Sequence, residues 1–423
     1  MARLLQPTLL WNGSTFLRDQ SVLIGDDGRI AAVGPDLEGP IEPLSGAMIP
    51  GLVNAHSHAF QFGLRGRAEA FPGEASSFWG WREAMYELVG TLDSDRCYEL
   101  SHAAFTEMLA HGVTAVGEFH YVRHDEGGDH RLDEAVLLAA EDAGIRLVKL
   151  VACYLTGDLD APLAPAQSRF DSGSVDDYLR RLDAAGEPLD HATQTLGVVA
   201  HSVRAVAIDD IVRLHQASIE RGLPFHIHLE EAPQEIATCQ RVHGCTPMRL
   251  LLDRGVVSSN VVAVHCTHST PEDLRDFAAA GGQICLCPVT EANLGDGIAD
   301  LPTMLEAGIP LSVGTDLNSR TDLLEELRWL EYVQRLARQQ RGVLRGTDGD
   351  SGRALLEIGT AGGAQALGLD AGRIEVGAHA DLVLIDQTHP SLAGADADAL
   401  AAALVYAART EVVTRVFVGG VDA

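Results

Sequence analysis

The sequence predicts an α/β chain, a (β/α)8 TIM-like barrel that carries a small discontinuous β-sandwich domain built from both termini. Three observations predict it. Apolar runs of strand length alternate eight times with longer segments of helical spacing, the pattern that builds a parallel sheet. Both ends of the chain read as short strands and turns instead. The length of 423 residues suits a barrel of about 250 to 300 residues with a smaller accessory unit. The expected division is a β domain over 1–49, the barrel over 50–366, and the rest of the β domain over 367–423.

The elements follow in order. Ser21 to Gly25 and Arg29 to Val33 flank Asp26-Asp27-Gly28 and read as a hairpin. The eight barrel runs are Leu52 to His58, Thr114 to Phe119, Arg146 to Tyr154, Leu196 to Val203, Phe225 to Leu229, Val261 to His268, Gln283 to Cys287 and Pro310 to Asp316. Helical spacing marks Ser94 to His111, Asp209 to Arg221 and Thr321 to Arg338 between or after them. At the far end Ala380 to Asp386 and Val412 to Val418 are β-rich, and the Ala- and Asp-rich stretch Leu392 to Leu404 reads as helix or loop.

Composition narrows the function classes. Hydrophobic residues make up 46% and charged residues 22%, ordinary for a folded chain. Sixty acidic against 31 basic side chains give a formal charge of −29, which repels nucleic acid and anionic membrane surfaces. A small anionic ligand requires a local cluster of basic groups. The start lacks a signal peptide's apolar run and no segment has the length and apolarity of a membrane helix, so a cytoplasmic protein is expected. Seven scattered cysteines fit reduced thiols. Of these, Cys285 and Cys287 share i, i+2 spacing and read as core packing.

In a barrel of this kind chemistry sits at the C-terminal ends of the strands. His56 and His58 stand at i, i+2 at the end of the first run, a chelating spacing. His228 ends the fifth run, His265 lies near the end of the sixth, and Asp316 ends the eighth. Neutral imidazoles and a carboxylate are normal zinc ligands, and a catalytic site keeps one position for water. His226 shares the fifth run with His228, and either could face inward; position favours His228. Glu231, three residues on, is placed to take a proton from water and pass it to a leaving nitrogen. Glu230 reads as a solvated or structural carboxylate.

Pro50-Gly51-Leu52-Val53-Asn54-Ala55-His56-Ser57-His58, His228 with Glu231, His265 and Gly314-Thr315-Asp316 together resemble the amidohydrolase superfamily, in its mononuclear, deaminase-like branch. Gly377 to Asp386 resembles the closing strand of the same family. The resemblance implies one zinc ion per chain, held at His56, His58, His228 and Asp316, with His265 orienting or polarising the attacking water. Binuclear relatives carry a carboxylated lysine at the end of strand four; here His201 occupies that neighbourhood and Lys149 lies mid-strand in the third run, so one metal is expected.

A narrower resemblance rests on Ser77 to Tyr86, Glu118-Phe119-His120-Tyr121, His201 to Val206 and Pro288 to Gly297. These are similar to the formimidoylglutamate deiminases, enzymes of histidine degradation that yield N-formyl-L-glutamate and ammonia. In that subgroup the positions of Gln61, Arg82, Tyr121, His201 and Arg204 contact the substrate, and arginines suit its two carboxylates. Singly, Arg82 could be a surface ion pair, Tyr121 a core aromatic and Gln61 a loop residue; Phe78, Trp79 and Trp81 read as packing or lid residues. The subgroup also implies a homodimer. The sequence departs from the pattern at Leu317-Asn318, where a shorter polar residue is expected directly after Asp316. Two rivals are a deaminase of a guanine-, cytosine- or triazine-like ring and a non-catalytic barrel.

Overall fold

The computed structural model describes residues 2–67, 69, 78–125, 128–159, 161–187, 189–190 and 192–423, with the side chains of Phe78 and Trp79 also outside the description. The middle of the chain forms eight parallel strands: Leu52–Ser57, Val113–His120, Arg146–Cys153, Gln194–Ser202, Phe225–Leu229, Val261–His265, Gln283–Leu286 and Leu311–Val313. Each pairs with its chain neighbour in register order. The first and eighth close the ring, since the His58 amide donates to the Asp316 carbonyl at 2.9 Å and the Asp316 amide to the His56 carbonyl at 3.0 Å.

Most of these strands are buried along their whole length, as continuous apolar runs with helices on the outside should be. Leu323–Arg338 shows how such a helix is built: Asp322 caps two amides at its start and basic residues occupy its last turn. Two strands stop three residues short of the sequence expectation. The sixth ends at His265 instead of His268 because His265 and Cys266 take left-handed backbone, and the eighth ends at Val313, ahead of the left-handed Asp316.

The chain ends form a second sheet of eight strands, in the order Val421–Asp422, Val413–Val418, Leu382–Ile385, Ile41–Pro50, Arg3–Trp11, Ser21–Ile24, Ile30–Gly34, with Phe16–Leu17 beside Arg3–Trp11. The pairing of Leu382–Ile385 against Ala47 to Pro50 joins the two termini, and a separate core of Leu5, Val22, Ile24, Met48, Leu382 and Phe417 lies beneath. Leu392 to Leu404 divides into a short 3-10 turn at Pro390–Leu392 and the start of the helix Leu400–Tyr406. Among the described residues no helix is long and apolar enough to cross a membrane.

A buried ion pair fastens the sheet to the barrel. Arg146, opening the third barrel strand, grips Asp381 with Nε–Oδ2 at 2.6 Å and Nη2–Oδ1 at 2.9 Å, and the two side chains are 4% and 1% exposed. Removing one partner strands a buried charge, which costs about 3–5 kcal/mol. Arg146→Met should therefore lower the unfolding free energy in guanidinium by about 3 kcal/mol, and Arg146→Met with Asp381→Leu should recover most of it. A single variant as stable as the parent contradicts this role.

Candidate active site

The strand ends bring His56, His58, His228 and Asp316 together, one donor atom from each lying within 4.8 Å of the others. His56 Nε2 and His58 Nε2 stand 3.3 and 3.2 Å from Asp316 Oδ1, and His228 Nε2 lies 3.2 Å from His56 Nε2. A carbonyl oxygen can only accept, so His58 Nδ1 donates to Phe119 O at 2.8 Å and His228 Nδ1 to His201 O at 3.0 Å. Both rings are thereby fixed with Nε2 turned to the centre, the usual support of a ligating histidine. His226 is not part of the cluster; its Nε2 donates to the Ala366 carbonyl at 2.9 Å.

The donor set fits a divalent cation. Burial pushes the His56 imidazole down to about 3 and, with the neighbouring imidazoles, His228 well below its ordinary range. Two imidazole nitrogens facing each other at 3.2 Å, beside the Asp316 carboxylate, suit a shared cation between them. Burial alone would raise the Asp316 carboxyl, but hydrogen bonds from His56 and His58 outweigh it and hold the group well below the usual range. Three imidazoles and a carboxylate form a normal tetrahedral-type set for zinc. Lys149 is committed elsewhere, its Nζ 2.8 Å from Asp133 Oδ1.

Close backbone approach makes this possible. A Cβ on Gly314 would sit 2.6 Å from the His56 Cβ and carbonyl oxygen, so only glycine lets the eighth strand press against the ligand strand. Glu230, His265, Cys266, Asp316 and Asn318 all carry positive φ between 45° and 75°. Non-glycine residues adopt this region at a cost and cluster at functional sites. At His265 it turns the ring out of the regular strand alternation and toward Glu231 and Asp316, at 3.8 and 3.9 Å. Its other nitrogen meets Glu291 Oε1 at 3.4 Å. Burial opposes a proton on His265, but Glu231, Glu291 and Asp316 together raise it to about 10.

Asn318, the departure noted in the sequence, closes a buried chain of hydrogen bonds around the ligands. Asn54 Nδ2 donates to Thr315 Oγ1 at 2.7 Å, Thr315 Oγ1 to Asn318 Oδ1 at 2.6 Å, Asn318 Nδ2 to Ser57 Oγ at 3.1 Å and Ser57 Oγ to Glu118 Oε2 at 2.8 Å. Ser57 lies between His56 and His58, so the chain fixes their spacing to Asp316. Asn318→Ala should weaken metal binding by about 10- to 100-fold in competition with a chromophoric chelator. Unchanged affinity would show that the chain is dispensable. Glu230 is buried, neither solvated nor facing the centre; it accepts from the Met248 amide at 2.9 Å and from Ser269 Oγ at 2.5 Å.

One pocket opens over the centre, and Gln61, Arg82, Tyr121, His201 and Arg204 all line it beside His58, His228, Glu231, His265 and Asp316. Gln61 Nε2 donates to Tyr121 Oη at 2.9 Å, and Arg82 Nε to Tyr86 Oη at 2.8 Å. Arg204 lies between Glu231 and Glu235, at 3.7 and 3.6 Å. His201 is held neutral by burial and by Arg204. Trp81, Met85, Tyr86, Tyr154, Phe170, Leu294 and Leu317 complete the walls; the sequence singled out Trp81 among them as packing or lid and Leu317 as a departure. Leu317 supplies apolar wall where a short polar residue was expected. Ser77 and the side chains of Phe78 and Trp79 lie outside the described residues.

Residues 47–421 match the amidohydrolase family. The chain belongs to that family. Its relatives include the formimidoylglutamate deiminase of Pseudomonas aeruginosa, 40% identical over 94% of this chain and 89% of that protein. This amidohydrolase is also 29% identical to a 5-methylthioadenosine/S-adenosylhomocysteine deaminase of Natronomonas pharaonis, over 93% of this chain and 86% of that one. Among solved structures, an amidohydrolase from Brucella melitensis superposes with a TM-score of 0.91 at 32% identity, covering 99% of this chain and 94% of that one. An adenosine deaminase from Xanthomonas campestris with bound zinc shares the fold, with a TM-score of 0.83 at 24% identity, covering 99% and 92%. The family is metal-dependent, and the group His56, His58, His228 and Asp316 can hold the ion.

Proposed function

We propose that this amidohydrolase hydrolyses N-formimino-L-glutamate to N-formyl-L-glutamate and ammonia, with one zinc ion per chain at His56, His58, His228 and Asp316. The observation that carries the reading is the placement of Arg82 and Arg204 in the pocket that opens over the histidine–aspartate centre. A substrate with two carboxylates at one end and an amidine at the other has both needs met there. The relative at 40% identity, a formimidoylglutamate deiminase, supports the same choice.

When bound, zinc lowers the pKa of water toward neutrality and polarises the carbon–nitrogen double bond. The protein's own groups do the rest. Arg82 and Arg204 bind the carboxylates as charged, directional donors. Gln61, Tyr121 and His201 add uncharged hydrogen bonds that fix the chain of the substrate. The water oxygen bonds to the formimino carbon while Glu231 receives its proton. Glu231 then returns that proton to the imino nitrogen, leaving an amino and a hydroxyl group on a tetrahedral carbon. It carries the hydroxyl proton to the same nitrogen as the carbonyl forms, so the carbon–nitrogen bond breaks with ammonia leaving. His265, held by Glu291, faces both Glu231 and Asp316 and orients the attacking water.

The test incubates zinc-loaded protein with N-formimino-L-glutamate and follows ammonia and the carbon products together. Ammonia with N-formyl-L-glutamate is expected. Formamide with glutamate would mean that the other carbon–nitrogen bond is cut. No turnover by metal-replete protein, with activity on a heterocyclic amine instead, would move the substrate to the ring deaminases.

A further inference from the structure

A second set of buried donors meets on the far side of Asp316. His265, Cys287 and Asp316 each place one donor atom within 4.8 Å of the other two. Cys287 stands just after the seventh strand, and its amide donates to Glu291 Oε1 at 3.0 Å. The same carboxylate oxygen receives His265 Nδ1 at 3.4 Å. Glu291 thus ties the imidazole to the cysteine and leaves His265 Nε2 facing Asp316 Oδ2 at 3.9 Å. Asp316 is divided between two centres, since its Oδ1 faces His56 and His58 at 3.3 and 3.2 Å.

These are the parts of a cation site. Two ligands of one zinc ion, at bond lengths of about 2.0–2.3 Å, stand roughly 3.3–3.8 Å apart in tetrahedral geometry. The imidazole–carboxylate pair, at 3.9 Å, lies just beyond this, and the thiol, within 4.8 Å of both, reaches it by a movement of about an ångström. A histidine backed by a carboxylate is the usual form of a ligating histidine, and a cysteine selects soft ions such as zinc and cadmium. Glu231 and Glu291 add negative charge around the position. With three protein donors and a carboxylate shared with the first ion, the site binds more weakly than the four-donor centre.

We propose that His265, Cys287 and Asp316 form a second, lower-affinity site for a soft divalent cation, whose occupation inhibits the enzyme by withdrawing His265 from the reaction. This rests on the four-donor centre as the first site and on His265 as a participant in turnover. Cysteine has no part in the first centre, which lets the two be told apart.

Cobalt(II) is titrated into the metal-free full chain while the thiolate-to-cobalt charge-transfer absorption in the near ultraviolet is followed. The first equivalent should bind without that absorption, and a second should bring it up. Cys287→Ser should abolish it, whereas Cys285→Ser, in the same buried cluster, should keep it. In turnover assays of zinc-loaded protein, excess cadmium should inhibit the parent and the Cys285→Ser variant, with Cys287→Ser tolerating about tenfold more. Thiolate absorption on the first equivalent would overturn the four-donor centre. A silent first equivalent with no absorption at any later one would overturn the second site alone, without needing any variant to fold. Equal cadmium inhibition of parent and Cys287→Ser would overturn it too.

Discussion

Glu231→Gln should lower kcat by about 100- to 10,000-fold while the protein still takes up one equivalent of zinc. Glu231 is 8% exposed and lines the pocket, three residues after His228 of the four-donor group. The left-handed backbone of Glu230, φ 54°, ends the strand between them. Glu231 Oε1 lies 3.8 Å from His265 Nε2 and Glu231 Oε2 3.7 Å from Arg204 Nη2. The carboxylate therefore stands beside the metal group without joining it. Glutamine has the same shape and keeps hydrogen-bonding capacity, but it cannot accept the water's proton and hand it to the leaving nitrogen. Zinc content and kcat are measured on the same preparation. Normal turnover would remove Glu231 from the proton path, and loss of zinc would make it a ligand.

The parts of this molecule that were legible in the sequence are those whose chemistry repeats along the chain. Apolar runs at strand length gave all eight barrel strands, and the histidines and aspartate at their ends fell where the barrel rule puts chemistry. The limits of reading were local. Strand periodicity cannot anticipate the left-handed turns at His265 and Asp316, so the sixth and eighth strands were drawn too long. The supporting roles were missed for a related reason. Glu291 stood only within a resembling segment and Asn318 only in the departure after Asp316, and both acquire their roles when the strands close. Tyr154 stands at the end of the third run and Tyr86 four residues after Arg82, so position could have marked both as pocket residues. Phe170 sits in a 3-10 turn, Pro165–Phe170, with no periodic signal to mark it.

Arg204→Met should lower kcat/KM for N-formimino-L-glutamate by about 30- to 5,000-fold, the equivalent of 2–5 kcal/mol for truncating one partner of a buried charge pair. Arg204 is placed for such a pair. Its side chain is 22% exposed, in the pocket wall, with Glu231 and Glu235 at 3.7 and 3.6 Å. Neither contact is a hydrogen bond, and Nε has no hydrogen-bond partner. The guanidinium is thus held by charge but has directional capacity for a substrate carboxylate. Methionine keeps the length and apolar stem while removing the charge and all five donors. The loss should fall mainly on KM, because the carboxylate is bound alike in ground and transition states. Zinc content should stay at the parent level. The ring-deaminase reading predicts the opposite pattern: a neutral heterocyclic amine would be turned over by parent and variant alike, with little activity toward the dianionic substrate in either.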